Sequence, residues 1–280
     1  MKYFERLDTT TTVTGGTVKI FRNPAGRKFG KKDAVEITEN WGSSIWQISQ
    51  ALGRARRKAA QQCNGAFAWN ARFGYLSPLP EHVGCGIEVQ ADLFLPALGL
   101  LGEFCRVVEA FRAMHCETFT ISADGIDNVA YFMTMRSNAS LGLTEKDFVF
   151  RQHYILHSAA LAENTARQRL FSSDRIVLAD AVERSIAILG SAKLLPEWEV
   201  PDLLAPLFLA AEMDCLAGID FDEVDDMLYT QLVNGTVKAL PQTPEEDREL
   251  EREDRQRARE INRRFAKVRI NKHGERLFYG

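Results

Sequence analysis

Apolar and polar residues alternate almost strictly from Ile87 to Leu95. Ile87, Val89, Ala91, Leu93 and Leu95 face one way, and Glu88, Gln90 and Asp92 face the other. A period of two predicts a half-buried antiparallel strand with one polar face. The preceding stretch from Phe73 reads as a short strand and a Pro- and Gly-bounded loop. That loop enters the strand through Gly84-Cys85-Gly86, where backbone can approach a ligand closely. Thr17–Phe21, Ala34–Thr38, Glu117–Ile121 and Ala130–Met135 read as further strands, after a loose lead-in over residues 1–16 that carries Thr9–Thr12. A helical period marks Ser43–Gln61, through Ile45, Ile48, Leu52, Ala55 and Ala59, and Leu98–Met114 reads as a second amphipathic helix.

From residue 147 the pattern changes to helix upon helix. Phe150–Leu170 carries Ala159, Ala160, Leu161 and Ala166 on compact faces. Ser173 or Asp174 caps a helix running to Leu195, striped by Leu178, Val182, Ile186 and Leu189. Pro201 opens the next helix and Gly218 closes it; Asp220 caps another that ends at Asn234-Gly235. Thr243-Pro244-Glu245-Glu246 is a capping box, followed by a helix almost wholly charged until Ile261 and Phe265, which reads as a solvated helix. The expected organisation is α+β: an antiparallel sheet flanked by helices over 1–146, an all-helical dimerisation-type domain over 147–240, and a charged C-terminal helix and tail over 241–280.

The 280 residues suit one large domain or two modest ones. A net charge of −3 gives no electrostatic case for nucleic acid. The first eight residues do not read as a signal peptide, and the apolar run Phe94–Leu101 is too short to span a bilayer. Cys63, Cys85, Cys105, Cys116 and Cys215 form no C-x-x-C pair, as expected of thiols in a reducing cytoplasm. His153 and His157 lie i,i+4 without a third ligand in view and read as surface histidines, so no metal and no cofactor are expected. The basic turn with Arg27, Lys28, Lys31 and Lys32 is either a solvated hairpin or an anion contact.

Gly74, Tyr75, Leu76, Pro80, Val83, Gly84, Gly86 and Pro96 together form a frame that resembles the phosphagen (ATP:guanidino) kinases, and among them the bacterial protein-arginine kinases. That family carries G-Y-L-x-x-C-P-T-N-x-G-T-G-x-R-A here. Ser137-Asn138 and Leu141-Gly142 through Glu145 resemble its S-N-x-x-x-L-G-x-[ST]-E segment, one residue shorter. Asp180-x-x-x-Arg184, Ile188-Leu189 and Leu207–Ile219 resemble its C-terminal helices. The resemblance spans roughly residues 34–260 and implies its fold.

The reactive positions depart from that pattern. The resemblance puts the family's reactive Cys on Leu79, its Thr-Asn on Glu81-His82, its phosphate-binding Arg on Glu88, its acid pair on Lys31 and Lys32, and the Arg of a late R-G-x-x-G-E loop on Thr120. The N-terminal S-S-R-x-R-L-A-R-N segment has no counterpart, so the N-terminus is expected to be truncated. Phosphoryl transfer rests on positioning and on neutralising charge with Arg, Lys and metal. At an effective dielectric of 20, a carboxylate about 4 Å from another anion repels it by about 4 kcal/mol. The expectation is therefore a catalytically degenerate, regulatory relative with no catalytic residues of its own. Residual phosphotransfer and a structural assembly role are the alternatives. Its expected partners are itself, a full-length arginine-kinase relative, or a phosphoarginine-bearing protein, and neither nucleic acid nor membrane. Glu253-Asp254-Arg255-Gln256-Arg257-Ala258 resembles the family's R-D-x-x-R-A phosphoarginine motif, which makes Asp254, Arg257 and, with them, Arg184 the phosphoarginine-binding candidates.

Overall fold

The computed structural model describes residues 13–22, 24–25, 35–42, 44–63, 66–77, 79–120, 122–123, 126–127, 131–234 and 243–280. The Thr9–Thr12 run, the turn with Lys31 and Lys32, and part of the Thr120–Gly125 loop lie outside these residues.

The first half runs β1 (Val13–Arg22), β2 (Val35–Trp41), α1 (Gln47–Gln62), β3 (Trp69–Asn70), β4 (Gly74–Tyr75), a 3-10 turn (Pro80–His82), β5 (Ile87–Phe94), α2 (Pro96–Leu100), α3 (Phe104–Ala113), β6 (Glu117–Thr120), β7 (Ser122–Ala123), β8 (Ile126–Asp127) and β9 (Phe132–Ser137). The alternating strand is the middle of a five-stranded antiparallel sheet ordered β2-β1-β5-β9-β6. Its apolar positions Ile87, Val89, Ala91 and Leu93 are fully buried. Helix α1 covers β1 and β2 with Ile48, Ala51, Leu52, Ala55 and Ala59, and α3 packs near β6. On its outer side α1 is tied down by charge: Arg54 and Lys58 both reach Glu39 of β2.

Several sequence expectations are corrected here. The lead-in is strand from Val13, because β1 continues pairing with β5 up to Leu93. Leu98–Met114 is two helices, since Gly102 takes φ +70° and turns the chain between them. The short strand β4 pairs with the two-residue strand β3 just before it.

The second half runs α4 (Glu145–Leu170), α5 (Arg175–Ser191), α6 (Glu199–Glu212), β10 (Leu216–Ala217), α7 (Phe221–Asn234), α8 (Pro244–Phe265), β11 (Arg269–Ile270) and α9 (Lys272–Tyr279). The capping box at Thr243 forms with both of its reciprocal bonds, and Asp220 Oδ1 accepts from the Glu223 backbone N–H. Helix α6 ends at Glu212, so Gly218 does not close it; instead Gly218, at φ +90°, turns the chain after β10, which pairs with β11. Helix α8 is no solvated tail. It lies against α5 and buries Asp254, Ala258, Ile261 and Phe265, at the i, i+4, i+7, i+11 spacing of one helix face. Among the described residues no helix is long and apolar enough to cross a membrane.

The halves are joined by buried charge. Glu163 of α4 accepts from the backbone N–H groups of Ala97 and Leu98, each at 3.0 Å, and so caps the first turn of α2. Arg167, one turn on, pairs with Glu163 at 2.9 Å and with Glu212 of α6 at 2.9 Å. Glu163 and Arg167 are wholly buried.

Candidate functional site

Directly opposed residues of antiparallel strands share a sheet face. The register therefore sets Lys19 beside Glu88, Gln90 beside Arg136, Arg136 beside Glu117, and Asp92 beside Thr134, all on the face away from the buried apolar positions. This is the more open face: Glu36, Thr38 and Glu117 are exposed, and Lys19, Gln90, Asp92 and Arg136 are half-buried.

Glu88 is the exception, only 4 % exposed. It is thus not the solvated strand residue that alternation predicts. Lys19 Nζ lies 3.5 Å from one carboxylate oxygen, and His82 Nε2 lies 3.6 Å from the other. The His82 ring in turn stacks on Phe21, with centroids 3.8 Å apart and planes 1° from parallel. Pro80 starts the 3-10 turn that brings His82 over the sheet, and the His82 N–H donates to Leu79 O at 3.0 Å. Burial pushes the Glu88 carboxyl up, but His82, Lys19 and Arg136 together outweigh it and hold it below the usual carboxylate range. Arg136 donates through Nε to Glu117 at 2.9 Å, and Thr134 donates its hydroxyl to Asp92 at 2.7 Å. Each cation named on this face is thus matched to a carboxylate on a neighbouring strand.

The glycine loop is closed by the chain itself. Gly84 has φ +121°, and a Cβ there would meet Ser140 O at 2.5 Å. Ser140 Oγ accepts from the Cys85 N–H at 3.0 Å. Arg22, 2 % exposed, donates twice to Cys85 O, lies 3.6 Å above the Tyr75 ring, and pairs with Glu145 at the start of α4. Arg56 reaches the same carboxylate at 3.1 Å. The close backbone approach that the glycines permit therefore serves the Leu141–Glu145 segment, where a ligand was expected. Sequence reading missed Arg22 altogether; an arginine closing a strand of apolar partners was its only signal. Cys85 is no surrogate nucleophile: burial first, and then Glu145, push its thiol up to about 11, and Sγ lies 3.0 Å from Leu143 O.

The other sequence candidates are dispersed. Leu79 is half-buried before the 3-10 turn, and Thr120 ends β6. Asp254 and Arg257 do meet, at 2.7 Å, but the same Arg257 nitrogen also donates to Leu195 O at 2.9 Å. Arg184 does not join them. It is exposed on α5 and sits 3.9 Å from Asp180. Ala192 and Leu195, just past α5, are the points that Asn262 and Arg257 touch, and Arg184 is more than about 10 Å back along that helix at 1.5 Å per residue. His153 is half-buried against Trp46, unlike the exposed His157, and burial lowers its pKa. Among the described residues no group of three or more His, Cys, Asp or Glu is placed to hold a metal.

A central antiparallel sheet, helices packed on it and helices following is the catalytic-domain fold of the guanidino kinases. Residues 38–166 match the family described as ATP:guanido phosphotransferase, C-terminal catalytic domain. Similar proteins include the protein-arginine kinase of Bacillus pumilus (strain SAFR-032), 25% identical over 193 residues that make up 66% of this chain and 52% of that protein. The protein-arginine kinase of Bacillus subtilis (strain 168) is 25% identical over 166 residues, 59% of this chain and 46% of that protein. The chain spans about half the length of the curated relatives it matches. Among solved structures, the substrate-free duplicated taurocyamine kinase from Schistosoma mansoni covers 67% of this chain and 40% of that one, at 13% identity and a TM-score of 0.46.

Proposed function

We propose that the chain is a non-catalytic relative of protein-arginine kinase that acts as a binding or regulatory subunit. One observation carries the reading. Where the family resemblance calls for a phosphate-binding arginine, Glu88 is buried and already neutralised by Lys19 and faced by His82. A triphosphate placed there meets a carboxylate and finds the neighbouring cations engaged.

The test is incubation with ATP, Mg²⁺ and an arginine-rich protein, followed by measurement of acid-labile protein phosphate. No label above background is expected, from the wild type or from Lys19→Ala. Stoichiometric label that Lys19→Ala abolishes would overturn the proposal and establish phosphotransfer through a rearranged site.

A further inference from the structure

The outer side of helix α8 carries a line of arginine. Arg248, Arg252, Arg255, Arg259 and Arg263 are all exposed and follow each other at intervals of four, three, four and four. At about 3.6 residues per turn they fall within an arc of about 80° and span about 22 Å. Asp254, Ala258, Ile261 and Phe265, which α8 buries, lie on another side of the helix, against α5. Exposed Glu251 flanks the line on one edge, and exposed Glu249 and Glu260 flank it on the other. No acidic residue interrupts it between Arg248 and Arg263. Arg255 pairs with Glu251, and the paired Arg257 and Arg264 lie off the line. Among the described residues Arg248, Arg252, Arg259 and Arg263 form no ion pair.

We propose that this line binds an acidic helix of another protein, one that carries Asp or Glu at the same intervals. Two features separate the line from an ordinary solvated face. Arg248 and Arg252, Arg255 and Arg259, and Arg259 and Arg263 set like charges four residues apart, which destabilises a helix. The helix also holds seven Arg and no Lys. Lys serves solvation as well, whereas the planar guanidinium grips a carboxylate through two parallel hydrogen bonds. Charge complementarity selects the occupant. A row of carboxylates supplies the counter-charge that the line lacks and relieves its internal repulsion. A helix repeats that row in step with α8. Alternate residues of an extended chain, about 6.6 Å apart, run out of step by about 4 Å over the same length. The line of a second copy would set arginine against arginine. A duplex nucleic acid presents phosphates over a broad surface, so the flanking glutamates and the net charge of −3 oppose it. The line lies away from the sheet face and leaves out Asp254 and Arg257. This proposal therefore stands whether or not the chain transfers phosphate or binds phosphoarginine.

The probe is a fluorescent Ala-based peptide with Glu at intervals of four, three, four and four and Lys on its flanks. Its control is a scrambled peptide of the same composition. Fluorescence anisotropy with the purified full chain at low salt is expected to show the patterned peptide binding about tenfold or more tighter than the scrambled one. That binding should weaken as salt is added. Arg252→Gln combined with Arg259→Gln is expected to weaken it about tenfold or more. Circular dichroism should be unchanged and the melting temperature not lowered, because both side chains are exposed and their removal relieves repulsion. Arg252→Lys combined with Arg259→Lys keeps the charge and loses the fork, so an intermediate loss is expected. Absence of binding, equal binding of the two peptides, or full binding by the glutamine variant overturns the proposal. So does tighter binding of a DNA duplex of the same length than of the patterned peptide.

Discussion

Two charge clusters of this molecule use the same residue types to opposite ends. On the open sheet face, Lys19, Glu88, Arg136 and Glu117 are matched across strands, with His82 folded over Glu88. Between α2, α4 and α6, Glu163, Arg167 and Glu212 are sealed inside, and the carboxylate of Glu163 also caps a helix. The sheet-face cluster lies where the family resemblance calls for ligand contacts, and its charges cancel without a ligand. The interior cluster is closed off from water, so the removal of one member exposes more to loss. A pair half open to water lets a stranded partner rehydrate, whereas a sealed one does not.

Arg167→Met gives the largest effect expected from this contrast. It leaves Glu163 and Glu212 buried without their cation, at a cost of about 3–5 kcal/mol. Urea denaturation measures it, and Arg136→Met on the sheet face, which strands only the half-exposed Glu117, is expected to cost less than about 1 kcal/mol, the range of partly exposed pairs. Equal losses for the two variants would remove the distinction between the clusters.

The pH dependence of the two clusters should differ in sign. Glu88 is held below its ordinary value, so its stabilising contribution is present above the unfolded carboxylate range and is lost as pH falls through the lower folded value. Glu212 is shifted up, by burial first and by Glu163, with Arg167 opposing. Its contribution is present below the unfolded value and is lost as pH rises through the folded one. Relative to the wild type, Glu88→Gln is therefore expected to be less stable near pH 7 than near about pH 4, and Glu212→Gln to show the reverse trend. Parallel pH profiles for both variants would contradict the assignment.

The contrast was only half legible in the sequence. Strict alternation gave β5 and its place in a sheet, because a one-residue register slip would turn every apolar side chain to water. The burial of Glu88 was not legible, since it depends on the distant Phe21 and His82 folding over it. Helix α8 shows the opposite failure. Ala258, Ile261 and Phe265 keep a helical stripe in plain view, but the density of Glu and Arg around them hid it, and Asp254 at the fourth position disguised it as a charged face. The two-residue strands β10 and β11 are too short to carry any period, so the joining of α8 and α9 to the helical half was invisible. The interior cluster was equally silent, because Glu163 and Arg167 at i,i+4 read as an ordinary surface pair until the packing on both sides is known.

Arg257 carries the smallest expected effect and the sharpest choice between readings. As a phosphoarginine ligand it would offer its guanidinium outward, and its loss would abolish binding while leaving the fold untouched. Its side chain is instead 18 % exposed, and Nη1 donates to both Leu195 O and Asp254 Oδ1, with Glu197 4.0 Å from Nη2. Asp254 O in turn accepts from the Leu195 N–H at 3.3 Å, so the pair pins the connection that follows α5 to the side of α8. Arg257→Ala strands a carbonyl and a largely buried carboxylate. Hydrogen bonds to charged groups contribute about 1.5–3 kcal/mol, and partial exposure reduces this to a loss of about 1–2 kcal/mol. Melting temperature should then fall by a few degrees, roughly 2–4 °C per kcal/mol for a chain of about this size. Arg184→Ala, at an exposed surface pair, should leave it unchanged. Titration of the wild type with millimolar phosphoarginine decides the rest. Heat that disappears in Arg257→Ala, with its melting temperature retained, would establish the ligand role, and a lowered melting temperature without heat in either protein would establish the clamp.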